Sequence, residues 1–133
     1  MNSSMFLRFR PLLVVGALLL ASGFSGCTSV QVTGDNKTLG EYKLGYLIVQ
    51  PMQPFEKARE ATKKGFKDMG YFLVGEEFDP PGNCELRART TNDTIVEVKL
   101  KDFASYTNVK IRHGLRGELA PAQQLYQAIA KHF

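Results

Sequence analysis

The sequence predicts an α+β fold. It is a two-layer sandwich with a mainly antiparallel sheet, element order β-α-β-β-β-β-α, and both helices on one face. Three observations lead there. Between residues 84 and 113 lie three stretches in which apolar and charged side chains alternate, the period of strands with one covered face. Two other stretches, near 55–69 and 119–133, carry apolar residues at helical spacing. Pro, Gly, Asn and Asp cluster between these stretches as turns. A sheet with one clean apolar face and one charged face is characteristically antiparallel, and the helices bury their stripes on its apolar side.

Taken in order, residues 28–38 are polar, with Gly34, Asp35 and Asn36, and read as a tether. Its eleven residues reach roughly 35–40 Å at most. Residues 40–50 read as one strand with Tyr42, Leu44, Tyr46 and Ile48 on one face, ended by Pro51 and Pro54. Phe55, Ala58, Thr62, Phe66 and Met69 then form a helical stripe, and Lys57, Arg59, Glu60, Lys63, Lys64 and Lys67 fill most of the remaining arc. Glu56 and Glu60 support that face through i, i+4 pairs, and Gly70 is a natural left-handed stop.

Tyr71-Phe72-Leu73-Val74 is a strand by aromatic and β-branched content, and residues 79–83 make a turn. In the next strand Cys84, Leu86 and Ala88 alternate with Glu85, Arg87 and Arg89. After the short turn at Asn92-Asp93, Val96, Val98 and Leu100 alternate with Glu97, Lys99 and Lys101. Beyond a turn at 102–105, Thr107, Val109 and Ile111 alternate with Asn108, Lys110 and Arg112. Gly114 and Gly117 bracket a loop. Pro121 sits in the first turn of a helix whose stripe is Leu119, Ala122, Leu125, Tyr126, Ile129 and Phe133. Residues 39–133 are one domain.

The amino-terminal 26 residues have the layout of an export signal: Arg8 and Arg10, an apolar run over 11–21, then small Ser22, Gly23, Ser25 and Gly26. The apolar run is about a dozen residues, where a spanning helix needs roughly 20. Ser25-Gly26-Cys27 resembles a lipobox, with Phe24 in place of the usual Leu. That resemblance implies a diacylglycerol on the Cys27 thiol and cleavage that leaves Cys27 as the first residue. Residues 1–26 are then a lipoprotein signal peptide and 27–38 a flexible tether. The alternative is ordinary cleavage, for instance after Gly23, which leaves Cys27 a plain thiol. Two or more acyl chains anchor firmly, each buried CH₂ contributing about 0.8 kcal/mol. Thr28 stands where, by analogy with lipoproteins of double-membraned bacteria, Asp signals inner-membrane retention. The expected location is therefore the cell envelope, lipid-anchored in the outer membrane and facing the periplasm.

Composition bounds the rest. The chain has 17 Lys and Arg against 13 Asp and Glu. Arg8 and Arg10 fall in the leader, so the remainder is only slightly basic, a weak argument for an anionic partner. With Cys27 lipidated, Cys84 has no partner in the chain and reads as a small buried apolar residue on a strand.

The domain as a whole resembles a family of short bacterial lipoproteins grouped only as a domain of unknown function. The matching stretches include Phe55-Glu56-Lys57-Ala58, Gly65-Phe66-Lys67-Asp68-Met69-Gly70-Tyr71, Leu86-Arg87-Ala88-Arg89 and Val98-Lys99-Leu100-Lys101. Thr107-Asn108-Val109-Lys110-Ile111-Arg112-His113-Gly114, Gly117-Glu118 and the closing helix complete the set. His113 departs from the apolar residue frequent there, and Glu118 from the usual Asp. The resemblance implies lipidation at Cys27 and a compact envelope domain, and carries over no catalytic residue.

One constellation suggests binding. Arg87, Arg89, Lys99, Lys101, Lys110 and Arg112 fall on the non-core face of three consecutive strands, interrupted by Glu85 and Glu97. Strands lie about 4.8 Å apart, so six cations share one surface. It reads either as an anion-binding face for lipid headgroups, polymer or an acidic protein, or as a solvated face with cross-strand ion pairs. The face lacks interleaved aromatics that stack bases, so no nucleic acid is expected. No cofactor or metal is expected either, since His113 and His132 form no ligand pair. Asp102, Ser105 and His113 surround one strand, too spread for a triad. The leading expectation is a non-enzymatic envelope lipoprotein that binds or scaffolds another envelope component. A binder of anionic polymer or lipid comes second and a small hydrolase third.

Overall fold

Residues 28–32, 38–79 and 81–133 are described by a computed structural model of the chain. The expected signal peptide at 1–26, the lipid attachment at Cys27 and residues 33–37 of the tether lie outside the described residues. The elements run β1 (Thr28–Gln31), β2 (Leu39–Lys43), β3 (Tyr46–Val49), α1 (Phe55–Asp68), β4 (Phe72–Asp79), β5 (Asn83–Arg89), β6 (Ile95–Asp102), β7 (Thr107–His113) and α2 (Leu119–Ala130). One sheet takes all seven strands in the order β1-β2-β3-β7-β6-β5-β4, every neighbouring pair antiparallel. The α+β class and the run from α1 to α2 are as the sequence predicts.

The amino-terminal part differs from expectation in two ways. Residues 40–50 are not one strand but a hairpin, turning at Leu44 and Gly45 with φ of 52° and 80°. Two left-handed central residues define the tight turn that usually carries Asn-Gly. Here Leu44 keeps an apolar alternation running through the turn and hides it. The buried residues are consequently Leu47 and Val49, while Tyr46 and Ile48 point the other way. The second correction concerns the tether. Thr28–Gln31 pairs with β2, Thr28 opposite Tyr42. The segment is short and polar, and backbone pairing with the edge of β2 makes it a strand; of this stretch only Val32, just beyond it, is fully buried.

Strand alternation then builds the core. Val96, Val98 and Leu100 of β6 and Val109 and Ile111 of β7 point inward with Leu86 and Ala88 of β5. They share one buried cluster with Ala61 and Phe66 of α1 and Ala122, Leu125, Tyr126 and Ile129 of α2. Each fully buried large aliphatic or aromatic side chain contributes about 1.5–3 kcal/mol. Cys84 lies in this cluster as expected, and burial pushes its thiol pKa up. Thr62, also buried, satisfies its hydroxyl by donating to the Ala58 carbonyl at 2.7 Å. The two helices pack against each other and against the sheet.

The β4 edge is held by charge. Arg59 and Lys63 of α1 reach the Glu76 carboxylate at 2.6 and 3.1 Å. The Arg59 guanidinium also lies 5.0 Å from the Phe78 ring centroid. Burial raises the Glu76 carboxyl pKa, but hydrogen bonds from the two cations outweigh it and leave the group below its ordinary value.

Candidate functional site

All six predicted cations lie on the sheet face opposite the buried cluster, because each alternates with a core residue of β5, β6 or β7. Register brings them together. Lys99 stands between Glu85 and Lys110, Glu97 between Arg87 and Arg112, and Lys101 between Asn83 and Asn108.

The cations are not equivalent. Arg87 pairs with Glu85 at 2.7 Å and reaches Glu77 at 3.8 Å and Glu97 at 4.0 Å. Arg89 pairs with Asp93 at 2.7 Å. Arg112 sits 5.2 Å from the ring centroid of Tyr46, and Lys99 sits 5.4 Å from the same ring. The Tyr46 hydroxyl in turn donates to Glu97 at 2.7 Å. Burial raises the Glu97 carboxyl pKa, yet the Tyr46 hydroxyl, Lys99 and Arg87 outweigh it and hold the group below its ordinary value. Burial likewise lowers the Lys99 ammonium pKa, and Tyr46 and Glu97 more than restore it. Tyr46 is thus the hub of one half of this face. The sequence hid it by placing it on a strand whose facing was misjudged.

The other half is an open groove of about 640 Å³ across β4 to β7. One row across it reads Glu77, Glu85, Lys99, Lys110. Two acids stand side by side, then two lysines. Directly opposed like charges destabilise a sheet; Arg87 offsets this for Glu85 and Glu77, which it reaches at 2.7 and 3.8 Å, and the row still divides acids from lysines. The next row, Asp79, Asn83, Lys101, Asn108, keeps one acid on β4 and one lysine on β6, each beside a neutral asparagine. Lys101 lies 5.1 Å from the Phe103 ring, which stacks on Tyr106 and closes one end. Asn108 Oδ1 is buried here with no hydrogen-bond partner among the described residues. The groove therefore has an acidic wall on β4–β5 and a basic wall on β6–β7. The sequence showed the lysines by alternation. It did not show Glu77 and Asp79, because β4 carries no readable period past Val74.

His113 is elsewhere, on the core side at the far end of β7 from Asp102 and Ser105. Its Nε2 lies 3.2 Å from the Tyr71 hydroxyl. Burial lowers the His113 pKa and raises that of Tyr71. A seven-residue strand, roughly 20 Å long, separates His113 from the turn that holds the other two groups. Among the described residues no three His, Cys, Asp or Glu side chains are grouped to hold a metal, and no helix is long and apolar enough to cross a membrane.

Fold and face together define an α+β domain with an antiparallel seven-stranded sheet and a charge-divided open surface. The chain belongs to a family described as proteins of unknown function (DUF3568), which matches residues 11–132. A search of curated proteins finds no match.

Proposed function

We propose that this chain is a non-catalytic bacterial lipoprotein, anchored through Cys27 and facing the periplasm from the outer membrane. In this reading it binds another envelope component in the groove of its open sheet face. The observation that carries the binding reading is the division of charge across that groove, acids on β4–β5 and lysines on β6–β7. Such a site suits a partner segment that carries both signs of charge. The export layout and the Ser25-Gly26-Cys27 motif support the anchor.

A photo-crosslinking residue at Asn83 in the full chain, expressed in its envelope, should capture one discrete partner. Both Lys110→Glu and Glu77→Lys should abolish the adduct, since each removes one wall. Absence of any specific adduct under all growth conditions would reject the binding reading. Intact mass of the mature protein tests the anchor separately, by the diacylglycerol on Cys27.

The second reading, a binder of anionic polymer or lipid headgroups, is favoured by the convergence of Lys99, Lys101 and Lys110 on the groove. It predicts the opposite response at one position. Glu77→Lys would strengthen a salt-sensitive adduct rather than remove it.

A further inference from the structure

Leu44 and Leu115 are the most exposed large apolar residues of the described chain, at 84% and 86%. They occupy different loops, the β2–β3 turn and the β7–α2 connection. Gly45 and Gly117 join those loops: their backbones touch so closely that a Cβ at either would overlap the other loop. The Tyr42 hydroxyl adds a hydrogen bond to the Gly117 carbonyl. The two leucines therefore share one tip, flanked by exposed Lys43 and Arg116.

The backbone at Leu44 is itself unfavourable. A φ of 52° suits Gly or Asn, and a leucine there is both strained and in water. No packing inside the domain repays this.

Antiparallel pairing fixes what else lies at this end. Thr28 pairs with Tyr42, and Leu47 with Ile111, so the start of β1, the β2–β3 turn and the exit of β7 fall at the same end of the sheet. Thr28, the residue that follows Cys27 in the sequence, lies at this end.

We propose that Leu44 and Leu115, with Lys43 and Arg116, form a membrane-contact tip. The leucines enter the boundary between headgroups and acyl chains, and the two cations meet anionic headgroups. This deepens the lipoprotein reading and rests on it for the identity of the neighbouring surface. With β1 paired from Thr28 onward, the domain would stand on the bilayer in a fixed orientation, with Phe103 and the β6–β7 turn pointing away.

The chain contains no tryptophan, so a single one serves as reporter. The full chain, recovered from membranes, is reconstituted into phosphatidylethanolamine–phosphatidylglycerol vesicles with brominated acyl chains. It is made as Leu115→Trp and, for the opposite end, Ser105→Trp. Insertion by roughly 5–10 Å should quench L115W emission about twofold or more, with S105W unchanged. Equal quenching of both, or of neither, overturns the proposal. Intact mass reads the anchor in the same samples. An acylated Cys27 with unquenched L115W sinks the tip and spares the anchor. A free Cys27 thiol with L115W still quenched by added vesicles sinks the anchor and supports the tip. A free thiol with no quenching sinks both.

Discussion

Gly65 on α1 lies so close to Ile129 on α2 that a side-chain carbon at Gly65 would sit 2.6 Å from Ile129 Cγ1. It would also sit 3.1 Å from the backbone nitrogen and Cα of Ile129. Gly→Ala in an exposed helix adds about 1 kcal/mol of stability. Here the obstruction includes backbone, and overpacking costs about 1–3 kcal/mol. Gly65→Ala should therefore destabilise the domain by about 1 kcal/mol net, read as a lower urea midpoint with an unchanged slope.

Gly117 gives a sharper case. Its φ of 74° already disfavours a side chain, and an added carbon would overlap the Gly45 carbonyl. Strain and overlap together should cost about 2–4 kcal/mol in Gly117→Ala. Circular dichroism on heating should show a large fall in Tm. Gly70→Ala is the control: its φ is also positive, but nothing lies within 4 Å of the added carbon, so its loss should be the smaller by far.

Glu76 links stability to acid. Its carboxyl, below its ordinary value in the folded chain, binds protons more weakly than in the unfolded chain. The stability it supplies is therefore complete above the unfolded value near 4.5 and is lost as pH falls through the folded one. Glu76→Gln should lower stability by about 1 kcal/mol at pH 7. It should also flatten the decline below pH 4.5, so that the two chains converge in urea titrations at the acid end.

His113 acts in a different window. Burial, the dominant influence, lowers its pKa, and Glu118 opposes it only in part. The unfolded chain takes up the proton near 6.5 and the folded chain resists it. Its stabilising share is whole above that pH and declines as pH drops below it. His113→Leu keeps the volume and removes a buried Nδ1 that lacks a partner among the described residues. The midpoint difference between the two chains should widen in favour of the leucine variant from pH 7.5 to pH 5. A constant difference would show that His113 titrates freely in the folded domain.

The strands from Cys84 to His113 were legible because most alternate residues are aliphatic (Leu86, Val96, Val98, Leu100, Val109, Ile111), a signal that needs no tertiary context. Helix α1 was legible through Phe55, Ala58, Thr62 and Phe66. Its buried set also includes Ala61 and Gly65, whose small side chains carry little hydrophobic signal yet set how closely α2 approaches. The hairpin at Leu44-Gly45 was missed because its first central residue is apolar where turn chemistry wants Asn or Gly. The six cations were found by alternation, but the groups they contact were only half visible. Glu85 and Glu97 are sequence neighbours of those cations. Glu77 and Tyr46 arrive from strands whose register depends on the whole sheet.

The pairing of β3 with β7 brings together segments more than fifty positions apart, Leu47 with Ile111 and Val49 with Val109. The amino-terminal hairpin therefore has no docking site until the last strand has been delivered. A chain emerging from its front end would release β1, β2 and β3 first and hold them waiting. A nascent fragment halted before Thr107 would leave Leu47 and Val49 without the strand that covers them.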